Sequence, residues 1–313
     1  MDTNMTLDRP GALGAIGNTP VVRLTRLVEP GMAEVWVKLE SYNPTGSYKD
    51  RMALAMIEGA ERSGKLRPGQ PVVEYTGGST GSSLALVCAI KGYPLRIVSS
   101  DAFAPEKART MRAFGAEVEL LASPDGITPT LIPRMRARAA EIAAEIGAYQ
   151  TDQFNNTDMT DGYEAIGREL YEQLDGRLDA VTIYVGTAGT FLGTTRALRE
   201  RLPALHRVVV EPAESAVLSG HEPGTHRIEG GGVGFMPPQL SPGAFDEVID
   251  VPTRVAFETA RRAARVEGVW AGPSTGANLV AALTVARRLG PGARVATIQV
   301  DSGLKYLSGE LYS

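Results

Sequence analysis

A lysine at the junction of a loop and a helix is the residue of this chain best placed to do chemistry. Lys49 follows residues 43–48 (NPTGSY) and precedes an apolar, helix-forming stretch at residues 52–60. Loops held by a rigid scaffold carry many catalytic residues, and a lysine amine forms a Schiff base with a carbonyl compound. Most lysines in such loops are only solvated surface charges, so the interpretation of Lys49 depends on the other motifs.

Two glycine-rich segments each follow an apolar run and open a helical pattern. In residues 76–80 (TGGST) the glycines let the backbone approach a ligand closely, and the helix start adds N–H donors and a positive dipole end. With three hydroxyl side chains, this segment suits a small carboxylate. Residues 186–190 (GTAGT) apply the same physics to a phosphate. Either segment alone is also consistent with a tight turn that binds nothing, and neither matches the lysine-containing phosphate loop or the dinucleotide fingerprint.

A further turn enters an apolar helix at residues 272–278 (GPSTGAN). Ser274 either faces a ligand or caps this helix, and for Ser274 alone capping is the better prediction, because serine is a preferred N-cap residue. Cys88 lies in an apolar helical pattern and is predicted to be a small core residue. The histidines are too few and too scattered for a metal site, so no metal is predicted. His221 and His226 are expected at exposed loop positions.

Length, charge and cysteine content frame these motifs. At 313 residues the chain exceeds the size at which single cores usually divide, so two domains are expected. The net charge of −4 is spread without a basic block, so neither nucleic acid nor an anionic membrane is an expected partner. The first residues lack an apolar signal core, and no apolar run approaches the roughly 20 residues of a membrane-spanning helix. Because Cys88 is the only cysteine, no intramolecular disulfide forms, and a cytoplasmic protein is predicted.

Apolar runs typical of strands alternate with helical patterns along the chain. The runs lie at residues 35–39, 72–75, 95–98, 117–121, 180–185, 208–211 and 295–300, and the helical patterns at 51–63, from 79 onward, at 105–114 and at 130–146. Strands that are continuously apolar and separated by helices indicate a parallel sheet covered on both faces. The predicted fold class is therefore doubly wound α/β. Residues 220–243, rich in proline and glycine, are the longest predicted loop, and such loops are usually functional or mobile.

Taken in order, these motifs resemble those of the cysteine synthase and cystathionine β-synthase family of fold-type-II pyridoxal phosphate enzymes. The likeness runs from residues 17–20 (GNTP) to 301–308 (DSGLKYLS) and includes 153–156 (QFNN), 210–212 (VEP) and 230–235 (GGGVGF). It implies two doubly wound domains, similar to those of the tryptophan synthase β subunit, with the cofactor in the cleft between them. Residues 45–155 would form a smaller, mobile substrate-binding domain. Residues 12–44 and 156–313 would form a larger cofactor-binding domain.

The resemblance also implies a role for each motif. Lys49 would be the catalytic residue and would hold pyridoxal 5'-phosphate as a Schiff base, while Ser274 would hydrogen-bond the pyridine nitrogen. The cofactor-binding residues would be Lys49, Ser79, Gly186, Thr187, Ala188, Gly189, Thr190 and Ser274. The residues that bind the substrate, chiefly its α-carboxylate, would be Thr76, Gly77, Gly78, Thr80, Gln153 and Gly231. The protein would be a homodimer.

The sequence departs from the family pattern at four positions. Gly77 stands where the family usually has a serine, and Ser79 where it has an asparagine that contacts the ring hydroxyl of the cofactor. Tyr75 replaces a proline. Ala188 replaces a glycine, which fits the phosphate loop if its φ is negative, because backbone N–H groups make the contacts. Gly77 and Ser79 together open space near the substrate and indicate a divergent β-substituted amino acid.

The activity that the resemblance implies is β-replacement on an activated L-serine of the O-acetylserine or O-phosphoserine type. The reaction would pass through an aminoacrylate, most simply with sulfide as nucleophile to give L-cysteine in amino-acid biosynthesis. One alternative is β-elimination, as in a serine/threonine dehydratase or a cysteine desulfhydrase. Another is a different nucleophile, giving cystathionine or 2,3-diaminopropionate. A third is a catalytically silent homologue that acts as a binding partner, which the retention of Lys49 and of the phosphate loop disfavours.

Overall fold

Two compact units make up the chain. The computed structural model describes residues 9–124, 126, 128 and 130–313. The smaller unit comprises the described residues up to Ile16 together with Asn43–Gly162, and the larger comprises Gly17–Tyr42 and Tyr163–Ser313. The assignment of substrate and cofactor roles to the two units stays a prediction. None of the helices in the described residues is both long enough and apolar enough to cross a membrane.

Within the described residues, ten strands and eight α-helices are distributed over the two units. The strands are β1 Val21–Arg23, β2 Glu34–Leu39, β3 Val72–Tyr75, β4 Leu95–Ser100, β5 Glu117–Leu121, β6 Tyr149–Gln150, β7 Ala180–Tyr184, β8 His206–Pro212, β9 Glu247–Val251 and β10 Arg294–Gln299. The helices are α1 Lys49–Arg62, α2 Ser79–Lys91, α3 Pro105–Ala113, α4 Leu131–Ile146, α5 Asp158–Gln173, α6 Gly189–Arg199, α7 Thr253–Glu267 and α8 Pro273–Leu289. Residues 216–246 contain neither helix nor strand, which confirms the predicted long loop.

The larger unit contains a six-stranded sheet in the order β1-β2-β10-β7-β8-β9. Neighbouring strands are parallel except at one edge, where β1 pairs antiparallel with β2. Strand β1 was not among the predicted strands, and it pairs antiparallel because residues 24–33 are too few to carry the crossover that a parallel pair requires. Elsewhere the continuous apolar runs form buried strands, and β7 is buried along its whole length.

Helix α8 packs closely on the neighbouring helix α7 in the larger unit. A Cβ atom at Gly276 would lie 2.0 Å from the carbonyl oxygen of Ala256 in α7, so only glycine permits this spacing. The side chain of Asn278 then ties α8 to two strands, accepting from the Tyr184 N–H at 2.6 Å and donating to the carbonyl of Ile298 at 2.8 Å. These contacts fix the start of α8 at the carboxyl ends of β7 and β10.

The smaller unit contains a four-stranded parallel sheet in the order β5-β4-β3-β6. In each sheet the chain reverses its direction of winding once, between β3 and β6 in the smaller unit and between β7 and β10 in the larger. Open α/β sheets bind ligands outside the carboxyl ends of the strands at such a reversal. The loops that follow β3, β6, β7 and β10 are therefore the places to look for a functional site.

Candidate active site

Lys49 is the first residue of α1, as the sequence predicted, and its side chain is buried. The turn before it is fixed by Asp50, whose carboxylate accepts from the N–H of Thr45 at 2.8 Å and from its hydroxyl at 2.5 Å. The Lys49 amine lies 5.1 Å from the centre of the Tyr48 ring and 3.9 Å from the sulfur of Met52. Burial lowers the pKa of Lys49 to about 8, against an opposing effect from the negative charge of Glu74.

Glu74 is a fully buried carboxylate in β3 that the sequence interpretation missed. Its oxygens accept from the Thr151 hydroxyl at 2.6 Å, the Tyr75 N–H at 2.9 Å and the Gln153 N–H at 3.2 Å. Burial raises the pKa of Glu74 to about 7, although these hydrogen bonds act in the opposite direction. An acidic residue inside an otherwise apolar strand was the signal that would have found it. Glu74 therefore holds the ends of β3 and β6 together beside Lys49.

The segment Thr76 to Thr80 lies at the reversal point of the smaller sheet, between β3 and α2. The Thr76 hydroxyl accepts from the Gly78 N–H at 3.1 Å and so shapes the turn. The Thr80 hydroxyl donates to the side-chain oxygen of Gln153 at 2.8 Å, and the Gln153 amide donates to the carbonyl of Tyr75 at 3.3 Å. Thr76, Thr80 and Gln153, predicted to bind one carboxylate, are thus brought together with the N-terminus of α2, where Ser79 is the first residue.

Residues 186–190 connect β7 to α6 and place the first turn of α6 at the reversal point of the larger sheet. Thr187, Ala188 and Thr190 are buried. Ala188 has a φ of +70°, in the left-handed region. A negative φ was expected from the sequence for alanine at this position, and that expectation is wrong. The left-handed conformation costs a non-glycine residue about 1–2 kcal/mol, and such strain is typical of binding sites.

A second glycine-rich segment, residues 230–232, lies beside this loop. A Cβ atom at Gly186 would lie 2.4 Å from the carbonyl oxygen of Gly230, and the Gly232 N–H donates to the carbonyl of Val185 at 3.2 Å. Gly231, predicted to bind substrate, therefore lies in the larger unit, whereas the other predicted substrate residues lie in the smaller one.

His226 holds this glycine-rich segment in place and is not the exposed loop residue that was expected. It is half-buried, its Nε2 lies 2.8 Å from the carbonyl oxygen of Gly232, and its Nδ1 accepts from the Ile228 N–H at 3.2 Å. These two contacts require the neutral ring with hydrogen on Nε2. His226 therefore orients residues 230–232 toward the loop after β7.

A small pocket in the larger unit lies beside Gly186, with Glu211 and Gly232 in its lining. The Glu211 carboxylate is buried, and it accepts from the N–H groups of Leu218 and Ser219 at 2.7 and 2.8 Å and from the Ser219 hydroxyl at 2.7 Å. Three donors satisfy this carboxylate, so it ties down the loop at its side of the pocket.

Ser274 is the second residue of α8, and the N-cap of that helix is Gly272. The capping interpretation of Ser274 is therefore wrong. Its hydroxyl oxygen is buried and has no hydrogen-bond partner among the residues that the structure describes. A buried hydroxyl without a partner costs about 1–3 kcal/mol, so its presence at the reversal point indicates a ligand that supplies the missing acceptor or donor.

These features fit pyridoxal phosphate, the cofactor that the sequence resemblance implies. Lys49 supplies a buried amine with a lowered pKa, residues 186–190 supply N–H donors at a helix start, and Ser274 supplies a hydroxyl that lacks a partner. Within residues 9–124, 126, 128 and 130–313, no group of three or more His, Cys, Asp or Glu side chains is arranged to hold a metal ion.

Comparison with known proteins identifies the family. The family model described as pyridoxal-phosphate dependent enzyme matches residues 12–301. A cysteine synthase of Staphylococcus aureus is 42% identical over 300 residues, which is 95% of each chain. A probable cysteine synthase of Bacillus subtilis is 40% identical over 304 residues, covering 95% of this chain and 96% of the relative. The solved O-acetyl serine sulfhydrylase isoform 3 of Entamoeba histolytica has a TM-score of 0.91 at 34% identity and covers 100% of this chain and 94% of its own. By sequence and by fold, this chain belongs to the pyridoxal-phosphate dependent enzymes.

Proposed function

We propose that this protein catalyses β-replacement on an activated L-serine of the O-acetylserine type, with sulfide as the nucleophile, to give L-cysteine. The observation that carries the proposal is the buried amine of Lys49, with its pKa lowered to about 8, in the same unit as a loop suited to a carboxylate. Similarity to cysteine synthases over 95% of the chain supports the choice of substrate and nucleophile.

In this proposal the two units bind different groups. The α-carboxylate of the amino acid binds to N–H donors at the start of α2 and to the side chains of Thr76 and Gln153, the latter oriented by Thr80. In the larger unit, residues 186–190 hold the cofactor phosphate, and Ser274 bonds to the pyridine nitrogen. The support for these roles is the lack of a partner at Ser274 and the helix start that each loop presents.

Lys49 moves the proton in this reaction. Its lowered pKa leaves a far larger neutral fraction of the amine near physiological pH than an ordinary lysine has, and a neutral amine takes the proton from the α-carbon of the bound substrate. The bond between the β-carbon and the ester oxygen breaks, and the leaving group departs with the electron pair. Sulfide then supplies an electron pair to the β-carbon, and Lys49 returns the proton to the α-carbon.

Pyridoxal phosphate, when bound, supplies the electron sink for the α-carbon. Ser274 holds it with a neutral hydroxyl, which stabilises a protonated ring nitrogen less than a carboxylate would. A neutral hydroxyl suits a reaction in which the β-leaving group departs promptly, as the carboxylate of an O-acyl ester does.

The test is a product assay with the purified holoenzyme, O-acetyl-L-serine and sulfide. We expect cysteine as the main product, with little pyruvate, and Lys49→Ala should lower its rate by at least about 10²-fold. Lys65→Ala is the matched control, because Lys65 is an exposed lysine of the same unit, and it should leave the rate unchanged. If pyruvate forms faster than cysteine, the activity is β-elimination and the proposal is wrong. If sulfide gives no product but added homocysteine does, then homocysteine and not sulfide is the nucleophile.

We also infer that the protein works as a homodimer in the cytoplasm, with a small amino acid and a small nucleophile as its substrates. The resemblance of the whole chain to its family supports this inference. Light scattering coupled to size-exclusion chromatography should give twice the chain mass of 33.2 kDa. A single-chain mass at micromolar concentration would contradict the dimer.

A further inference from the structure

The space beside two adjacent glycines in residues 76–80, the proposed carboxylate loop, is occupied by side chains that follow β4 in the smaller unit. A Cβ atom at Gly77 would lie 2.6–2.9 Å from three ring atoms of Phe103. A Cβ atom at Gly78 would lie 2.1 Å from the side chain of Lys107, which is itself buried. Real Cβ atoms do not approach other atoms this closely, so the space that side chains at 77 and 78 would occupy is already taken. The expectation that Gly77 opens space is therefore wrong, because the ring of Phe103 fills that space.

Phe103 reaches the loop because of the order of the strands. It follows the carboxyl end of β4, which pairs with β3, and the segment Thr76 to Thr80 follows the carboxyl end of β3. The ring of Phe103 is partly buried and packs on the apolar cluster that includes Val73, Val98 and Leu131. A ring held by this cluster cannot move freely, so its position limits the positions that the loop at Gly77 can adopt.

We propose that Phe103 is a positioning residue for amino acid binding, and that it acts through Gly77. Its ring takes the place of the side chain that position 77 lacks and braces the turn that presents Thr76, Thr80 and the start of α2. The inference rests on the proposed function only in taking this loop as the carboxylate site. It explains why the loop keeps its shape without a side chain at position 77.

The coupling between the two positions gives a test that loss of stability cannot imitate. Phe103→Ala should weaken binding of L-serine to the holoenzyme by about two- to tenfold, the value of one hydrogen bond at the loop. Gly77→Ser should weaken it by at least about tenfold, because the new side chain meets the ring. Combining Gly77→Ser with Phe103→Ala should restore binding to within about threefold of wild type. The dissociation constants are measured by calorimetric titration, which needs no turnover.

Phe114→Ala is the matched control. Phe114 is a partly buried phenylalanine at the far end of α3 in the same unit, so its truncation tests loss of packing alone. Phe103→Leu is a milder variant in case Phe103→Ala does not fold, and thermal unfolding with cofactor content is recorded for every variant. The proposal fails if Phe103→Ala and Phe114→Ala bind L-serine equally well, or if Gly77→Ser binds it as tightly as wild type. Failure of cysteine formation in wild type, with this binding pattern intact, would overturn the proposed function alone.

Discussion

At the scale of single residues, the sharpest signal is a hydroxyl buried without a partner. Ser274 and Thr194 both carry one among the described residues, and both lie in the larger unit. Ser274 is at the reversal point of the sheet, where a ligand is expected, while Thr194 lies inside α6. Ser274 is therefore the candidate for ligand binding, and Thr194 is a control for a buried hydroxyl that binds no ligand.

The first prediction compares these two hydroxyls. Ser274→Ala should stabilise the cofactor-free protein by about 1–3 kcal/mol, because it removes a buried polar atom that has no partner. In the holoenzyme the gain should vanish and turnover should slow, since the hydroxyl is then bonded. Thr194→Val should stabilise both forms equally. Urea unfolding of the two forms measures the difference, and equal gains for Ser274→Ala in both forms would show that it bonds no ligand.

The second prediction concerns the charge beside Lys49, the lysine proposed to be catalytic. Burial lowers the pKa of Lys49 to about 8, and the negative charge of Glu74 raises it. Glu74→Gln removes that charge, so the ammonium form of Lys49 is less favoured and its pKa should fall below about 8. The measurement is the rate of Lys49 acylation against pH in cofactor-free protein, read by mass spectrometry.

Exposed Lys65 provides the internal reference in the same experiment, since its acylation profile should not change. Stability gives a second readout. The folded pKa of Glu74 is raised from 4.5 to about 7, so its contribution is fully present below pH 4.5 and is lost as pH rises through about 7. Glu74→Gln should therefore gain stability relative to wild type as pH rises from about 4.5 to about 7, and the difference should stay constant above that pH. An unchanged Lys49 profile would show that the two groups are not coupled.

At the scale of elements, the turn into α6, which is proposed to hold the cofactor phosphate, carries backbone strain. Ala188 has a left-handed backbone immediately before the helix. Ala188→Gly should stabilise the protein by about 1 kcal/mol, because glycine adopts this conformation without a steric cost. Ala197→Gly, inside the same helix, should destabilise by about 1 kcal/mol. Urea unfolding curves measure both, and a lower midpoint for Ala188→Gly would contradict the strain.

The apolar strands and the helices that start at predicted sites were confirmed, but α5 and α7 were not predicted from the sequence. In α5 the glycines at 162 and 167 disfavour a helix by intrinsic preference. The structure explains them, because a Cβ at Gly162 would lie 2.6 Å from the Arg51 carbonyl and one at Gly167 would lie 2.4 Å from the Thr194 carbonyl. Close packing against other helices required glycine and overrode helix propensity. Strand β6 has only two residues, too few for an alternating pattern.

The predictable part of the site is the part carried by local motifs. Lys49 and the two loops could be proposed from the sequence because loop, helix start and residue type are adjacent in the chain. Glu74 and Phe103 were missed because their roles depend on strand order, which brings the end of β6 and the end of β4 beside β3. Capping was favoured for Ser274 alone because of its residue type, whereas in the structure Gly272 takes the N-cap position.

At the scale of the whole molecule, the cofactor should contribute to stability. A ligand that binds only the folded state adds about 2.7 kcal/mol when its free concentration is 100 times its dissociation constant. Removing pyridoxal phosphate should therefore lower the unfolding midpoint, and adding it back should restore the midpoint. Lys49→Ala should show a smaller shift, since it loses the covalent attachment. Equal midpoints for wild-type protein with and without cofactor, by thermal unfolding, would contradict this.

The burial of the only cysteine of the chain determines how the folded enzyme responds to thiols and disulfides. Cys88 lies inside α2 and is 1% exposed, and burial raises the pKa of its thiol to about 12. Disulfide exchange requires an accessible thiolate. The thiol product of the reaction therefore finds no accessible cysteine on the folded enzyme with which to form a mixed disulfide. A disulfide reagent should modify the unfolded chain and leave the native protein untouched, so its activity should not depend on the redox state of its surroundings.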